Sequence, residues 1–314
     1  MTARTSELYG VILAAGKGSR MARLPTDLPK CVLPVLGKPI LAHQLDLLAD
    51  LGIQQVFVVV GHRGFEVVRE IERLPDRGLS IEYVEQRETL GIAHCVGGLE
   101  PLLDRPFLLL LGDIFLRRPR LAEMIDCYDH GAVDAVLSAV HEDRDDALHR
   151  NFCIVEGDDG FVRRVVEKPR HPPTRLKGVG VYLFTPVIFD AVRRTPRTAM
   201  RDEYEITDSI QILINDGYRA RAARCVDGDV NLTVPADLLE INLDALNERG
   251  QNTLISSSAR VSGQAKLSAT IVGDGATVEA DAELSQCVVF PYARVPAHAR
   301  FRRTIITRDG VCTV

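Results

Sequence analysis

The run Gly10-Val-Ile-Leu-Ala-Ala-Gly-Lys-Gly-Ser-Arg-Met21 decides how the rest of this 314-residue chain is read. Four apolar residues, Val11–Ala14, predict a buried strand that empties into a loop carrying Gly16, Lys17, Gly18, Ser19 and Arg20. Glycines let backbone N–H groups turn toward an anion, and two cations add charge, so the loop reads as a phosphate cradle. It is neither of two common kinds. A dinucleotide fingerprint needs a third glycine where Met21 stands, and a P-loop ends in Gly-Lys-Ser/Thr. Lys30, in Leu28-Pro-Lys30, is close enough along a looping chain to reach the same ligand.

Beyond this run strand and helix patterns alternate. Ile40–Leu51 is an amphipathic helix stopped by Gly52, Val56–Val60 a strand, Glu66–Arg73 a helix and Ile81–Val84 a strand. Ile92–Leu103 reads as a helix and Phe107-Leu-Leu-Leu-Leu-Gly-Asp113 as the most buried strand. Near-continuous apolar strands between helices predict a mostly parallel sheet covered on both faces. Ligands bind such sheets at the carboxyl ends of the strands, where the Gly16–Arg20 loop and Asp113 both fall. From residue 133 strands dominate: Val133–Val140, Phe152–Glu156, Phe161–Glu167 and Gly178–Phe184. The helices Pro186–Arg194, Tyr204–Asn215 and Pro235–Glu248 follow.

After residue 250 the chain repeats. Ala259-x-Val261 and Ala265-x-Leu267 recur as Ala276-x-Val278 and Ala282-x-Leu284, then as Ala293-x-Val295 and Ala299-x-Phe301, a period of 17 residues. Three inward positions per unit, about six residues apart, fit a three-sided β-helix coil of the hexapeptide type. Val261/Val278/Val295 and Leu267/Leu284/Phe301 should stack, each unit closing on Ile271-Val272, Val288-Val289 or Ile305-Ile306. Three coils barely make a solenoid and need covered ends, so a partner subunit and a homo-oligomer are expected.

Composition narrows the function. The net charge of −5, from 38 basic and 43 acidic residues, argues against an electrostatic grip on nucleic acid. Seven dispersed cysteines without a Cys-x-x-Cys pair argue for reduced thiols, hence a cytoplasmic protein, and against a zinc knuckle. No cationic-then-apolar leader is apparent, and no apolar stretch approaches the ~20 residues of a membrane span.

Leu13-Ala-Ala-Gly-Lys-Gly-Ser-Arg-Met21 with Leu28-Pro-Lys30 resembles the signature of the sugar-1-phosphate nucleotidylyltransferases, and later motifs follow in the family's order. The resemblance implies an α/β fold, a Rossmann-like mixed sheet flanked by helices, followed by a short left-handed β-helix. It divides the chain into a catalytic domain over 1–250 and a tail of three 17-residue coils over 251–314. The reaction implied is attack of a sugar-phosphate oxygen on the α-phosphorus of a nucleoside triphosphate, with pyrophosphate leaving. Positioning and electrostatics carry most of such catalysis.

On this resemblance Ala14, Ala15, Gly16, Gly18 and Ser19 bind the nucleotide, with Gly16, Gly18 and Ser19 supplying backbone donors to its phosphates. Arg20 holds the pyrophosphate, and Lys30 puts charge near the α-phosphate. Asp113, taken alone, suits a turn cap; in the family's Leu-x-Gly-Asp context it is a ligand of Mg2+. The second metal position falls on Asn231, before Pro235-Ala-Asp-Leu238, with Asp227 and Asp229 as close rivals. Glu167-Lys168-Pro169 supplies Lys168 to the sugar phosphate and Glu167 to sugar hydroxyls. Gly180, in Gly178-Val-Gly-Val-Tyr182, and Glu205, in Glu203-Tyr-Glu-Ile-Thr-Asp208, complete the sugar pocket. Gln86 and Gly91 read the base, a Gln offering donor and acceptor and a Gly admitting the ring.

Gly91-Ile-Ala-His94 is nearer to the form carried by thymidylyltransferases, so dTTP with glucose 1-phosphate is the expected pair. Guanylyl, uridylyl or adenylyl transfer to another hexose or a cyclitol phosphate stays open. His94 itself is read as an ordinary helix residue. One departure stands out: Phe152-Cys153 replaces the family's Tyr-Gly, and a side chain at Cys153 should narrow the sugar pocket. A non-catalytic regulatory subunit is the competing class, disfavoured by retention of Arg20, Lys30, Asp113 and Lys168 together. An acyltransferase in the tail is weaker still, His298 being its only histidine.

Overall fold

The computed structural model describes residues 7–16, 18, 21–128, 132–198 and 202–314. Contacts group these into two compact units. One holds the chain up to Gly16 and Gln44–Asp229; the other holds Lys17–His43 and Val230–Val314.

The first unit is built on a nine-stranded mixed sheet. Its strands are β1 (Tyr9–Ala14), β2 (Gln55–Val60), β3 (Ser80–Glu85), β4 (Phe107–Leu111), β5 (Ala135–His141), β6 (Phe152–Glu156), β7 (Val162–Glu167), β8 (Leu176–Phe184) and β9 (Ala220–Ala223). They run in the order β7-β6-β8-β4-β1-β2-β3, with β5 pairing β8 and β9 off that path. β4, β1, β2 and β3 are mutually parallel, whereas β8 runs antiparallel to β4, β5 and β6. The unit's helices are α1 (Ile40–Asp50, from Gln44 onward), α2 (Gly64–Glu72), α3 (Ile92–Gly97), α4 (Ala122–Cys127), α5 (Asp145–Arg150), α6 (Ile188–Arg194) and α7 (Ile206–Asn215), while α8 (Pro235–Glu248) belongs to the second unit. Apolar runs explain why β1 and β4 are central: Val11, Ile12 and Phe107–Leu109 have no measurable exposure. A strand covered on both faces must be apolar at every position rather than at alternate ones.

The expected helix over Ile92–Leu103 stops earlier. α geometry ends at Gly97, and the chain continues to Leu103 through turns such as Leu99 N to Val96 O, 2.9 Å. Two consecutive glycines, Gly97 and Gly98, give the helix no side-chain reason to continue.

The second unit contains α8 and a short β-helix. Parallel pairing joins Val261 to Val278 and Val278 to Val295, and Leu267 to Leu284 and Leu284 to Phe301. Ile271, Val288 and Ile305 stack likewise, so the 17-residue register of the sequence is the register of the coils. Corners fall at left-handed residues: Gly275 and Tyr292, Asp281 and His298, and Ala269, Gln286 and Arg303. The sides are unequal where about six residues each were expected, the side from Asp281 to Gln286 being shorter. At that third corner the next residue turns inward and donates to the carbonyl two residues back. Thr270 reaches Ser268 O at 2.8 Å, Cys287 Ser285 O at 3.3 Å and Thr304 Arg302 O at 2.8 Å. The bond spans the left-handed residue and gives the inward-turned polar group a partner. The last strand, Val311–Thr313, folds back antiparallel on the final coil. Asn242 of α8 ties the hairpin before α1 into the same unit, donating to Pro34 O at 3.0 Å and accepting from Leu36 N at 2.8 Å.

Candidate active site

Within the first unit three parallel strands end side by side, and missing side chains let them do so. A Cβ on Gly61, just after β2, would lie 2.9 Å from Ala15 Cβ, and one on Gly112, just after β4, would lie 2.7 Å from Leu13 O. Gly112 N donates to Leu13 O at 2.9 Å, and Gln86 N to Val60 O at 2.7 Å. Ala14, Ala15, Gly16, Gln86 and the half-buried Asp113 are therefore gathered at the carboxyl edge of one parallel sheet, the edge where such folds take ligands.

The turn carrying Asp113 has a support that sequence reading missed. Gln44 of α1, 2% exposed, donates from Nε2 to Leu111 O at 2.8 Å and to Ile114 O at 3.0 Å, bracketing Gly112 and Asp113. A glutamine within an amphipathic helix gives no sign of this from the chain alone.

A second group collects around β8. The Tyr182 hydroxyl is pushed to a higher pKa by burial above all, then by the carboxylates of Glu167, Asp229 and Glu205. Glu167 accepts from Thr207 Oγ1 at 3.2 Å and pairs with Lys168 Nζ at 3.2 Å. Burial and Glu167 together raise the Asp208 carboxyl. Lys168 leaves β7 in the left-handed region, φ 42°, with its N–H donated to Asn151 O at 2.8 Å. A lysine held there is strained, and such strain collects at working sites. Glu205, 8% exposed, is the N-cap residue of α7.

Gly180 is used for close packing: a Cβ there would lie 2.3 Å from Ile114 Cδ1 and 2.6 Å from Leu111 Cδ1. Gly178 makes room for the Phe152 ring, which stacks on Tyr182 with centroids 6.2 Å apart. Cys153, expected to narrow the sugar pocket, is wholly buried with its thiol 3.8 Å from Thr174 O, and presents no open surface. Strand alternation sends it to the side of β6 opposite the Phe152 ring.

Asp227 and Asp229 each have a basic partner. Asp227 accepts from Arg120 Nη1 at 2.6 Å. Asp229, with a side chain 2% exposed, lies 2.8 Å from Lys177 Nζ, an ion pair without hydrogen-bond alignment at Oδ1. Glu142 adds a second carboxylate 3.6 Å from the same ammonium.

In the second unit the Lys30 stem lies over Gly18. A Cβ on Gly18, φ +63°, would stand 2.9 Å from Lys30 Cγ, so a side chain here would be strained by its dihedral and would displace the lysine stem. Lys30 opens the 3-10 turn Lys30–Val32, and Asn231 is half-buried just ahead of α8. Lys17, Ser19 and Arg20 lie outside the described residues, and with them two of the expected phosphate contacts. Among the described residues no three His, Cys, Asp or Glu side chains cluster as a metal cage, and no helix is long and apolar enough to cross a membrane.

Comparison with known proteins agrees with this geometry. Residues 9–230 match the family model described as nucleotidyl transferase, and residues 235–313 the GlmU-like C-terminal hexapeptide model. The chain is 35% identical over 246 residues to UTP–glucose-1-phosphate uridylyltransferase AglF of Haloferax volcanii, covering 78% of this chain and 100% of that one. It is 33% identical to a glucose-1-phosphate thymidylyltransferase of Streptomyces antibioticus, covering 77% of this chain and 67% of the relative. A crystal structure of UDP-glucose pyrophosphorylase complexed with UDP-glucose superposes with a TM-score of 0.66 at 19% identity, covering 77% and 99% of the two chains, a likeness of fold. Sheet-edge site, motif order and relatives converge: the chain belongs to the nucleotidyl transferase family, alongside sugar-1-phosphate nucleotidyltransferases, and carries a GlmU-like hexapeptide tail.

Proposed function

We propose that this protein transfers a nucleotidyl group from a nucleoside triphosphate to a sugar 1-phosphate, giving a nucleotide sugar and pyrophosphate. The observation that carries the reading is the gathering of Ala14–Gly16, Gln86 and Asp113 at the ends of adjacent parallel strands. The expected substrates are dTTP and glucose 1-phosphate. A uridylyl reading stands beside it because the relative at 35% identity is named for UTP. Residues 1–250 act as the catalytic domain and 251–314 as the tail, through which the chain self-associates as a cytoplasmic homo-oligomer.

In the reaction a sugar-phosphate oxygen forms a bond to the α-phosphorus as the bond to the β-phosphate oxygen breaks, and its electron pair leaves with pyrophosphate. Ala14 and Ala15 bind the nucleotide, and the backbone at Gly16, Gly18 and Ser19 with the Arg20 guanidinium holds its triphosphate. Lys30 balances the charge growing on the α-phosphate. Gln86 and Gly91 orient the base. Lys168 holds the acceptor's phosphate, and Glu167 and Glu205, with the backbone at Gly180, hold its hydroxyls.

The donor chemistry at Asp113 and Asn231, one carboxylate and one carboxamide oxygen, suits a hard cation that keeps waters and substrate phosphates as its other ligands. That is the pattern of Mg2+, which when bound neutralises charge on the phosphates. Incubating the protein with Mg2+, glucose 1-phosphate and equimolar dTTP and UTP, with products read by mass spectrometry, tests the base. Mainly dTDP-glucose supports thymidylyl transfer, mainly UDP-glucose supports the uridylyl reading, and neither product defeats both.

A further inference from the structure

The base-reading loop and the acceptor side of the first unit are fastened to each other at one point. Gly91 has φ 107° and ψ 170°, a region essentially closed to residues with a side chain. A Cβ there would lie 2.4 Å from Tyr204 O and 2.7 Å from Tyr204 N, both backbone atoms that cannot swing aside. Two hydrogen bonds close the contact: Tyr204 N donates to Leu90 O at 2.7 Å, and Ala93 N donates to Tyr204 O at 3.0 Å. α3 has no side-chain cap, and the Tyr204 carbonyl serves instead, taking the N–H of its second residue. The Tyr204 ring then stacks on His94, centroids 6.1 Å apart and planes 24° from parallel, with the Arg197 guanidinium 5.7 Å from the ring. The residue after Tyr204 is Glu205, the N-cap of α7.

We propose that Tyr204 is a positioning residue that couples recognition of the base to recognition of the acceptor sugar. The proposal rests on the roles given above to Gly91 and Glu205. Gly91 cannot move toward or away from a base without displacing Tyr204, and Tyr204 cannot move without carrying Glu205. Tyr204 is thus given no contact with either substrate. Its backbone grips the loop, and its ring holds that grip in register against His94. A coupling of this kind is reciprocal, so whatever orders one side favours the other.

The test reads each variant on the side to which it does not belong. Gly91→Ala is scored by KM for sugar 1-phosphate and by amide hydrogen exchange over 202–213. Tyr204→Ala is scored by KM for the nucleoside triphosphate and by exchange over 85–97. Each cross-reading should rise by about 5- to 50-fold, within the usual range of coupling between sites, with kcat at saturation changed less. Tyr204→Phe, which keeps the ring, should restore wild-type values, and Tyr204→Leu replaces the alanine variant if that does not fold. Changes confined to each variant's own side, in exchange as in KM, overturn the proposal. A wild-type protein that transfers nothing defeats the functional reading, and linked exchange then still upholds the clasp while unlinked exchange removes it.

Discussion

Gln44 Nε2 stands 2.8 Å from Leu111 O and 3.0 Å from Ile114 O, holding from a helix the turn on which Asp113 is mounted. Gln44→Leu keeps the bulk and strands two carbonyls. It should cost about 1–3 kcal/mol of stability and, by misplacing Asp113, lower kcat by up to about 100-fold. Urea unfolding and initial rates check both. A variant that is destabilised yet turns over normally would show that the turn holds its own geometry.

Lys177 and Asp229 form a buried pair, 5% and 2% exposed at their side chains. Removing one partner leaves an uncompensated charge, so Lys177→Met should destabilise the protein by about 3–5 kcal/mol. Lys177→Met with Asp229→Leu should recover much of that loss, since matched apolar groups need no counter-ion. A double variant no better than the single one in denaturant unfolding would contradict this.

His43 is held neutral. Burial lowers its pKa to about 4, with Lys38 and Arg249 adding to the effect and hydrogen bonds to the Val35 and Lys38 carbonyls opposing it; its Nε2–H donates to Val35 O at 3.0 Å. Between that value and the ordinary 6.5 the unfolded chain binds more protons than the folded one, so stability falls as pH is lowered through this window. Above about pH 6.5 the group costs the fold nothing, and the stability lost to it amounts to about 3 kcal/mol once pH reaches about 4. His43→Gln keeps a donor for Val35 O and should flatten this part of the profile. Parallel profiles for the two proteins would count against the assignment.

Lys30→Ala should lower turnover by about 100- to 1,000-fold, the usual loss when one preorganised cation or donor is taken from a developing charge. Circular dichroism and melting should stay close to wild type, because Lys30 is only half-buried and lies outside the apolar core. Asp113→Asn should raise the Mg2+ concentration needed for half-maximal rate or abolish activity. An unchanged metal dependence would retire Asp113 as a ligand.

Much of this was readable in the chain because the signals are periodic. Phe107–Leu110 is apolar at every position and is buried at every position, and the Ala-x-apolar triplets of the tail fixed which residues stack across coils. Short elements lacked that redundancy. Ala122–Cys127 and Asp145–Arg150 are under two turns long, too brief for a 3.6-residue pattern to register. The unequal sides of the solenoid depend on where left-handed corners fall, and Gln286 or His298 does not advertise such a corner as a glycine does. Gln44 and the Lys177–Asp229 pair were invisible for another reason: they act through partners distant in sequence, and a lone polar residue carries no mark of what it will meet.

The most direct measurement is pyrophosphate release by the purified protein with Mg2+ across a grid of nucleoside triphosphates and sugar 1-phosphates. One strongly preferred pair is expected, with release that depends on both substrates and on the metal and is lost in Lys30→Ala. No release from any pair, with nucleotide still bound, would contradict it and point to a regulatory subunit that keeps the fold without the reaction.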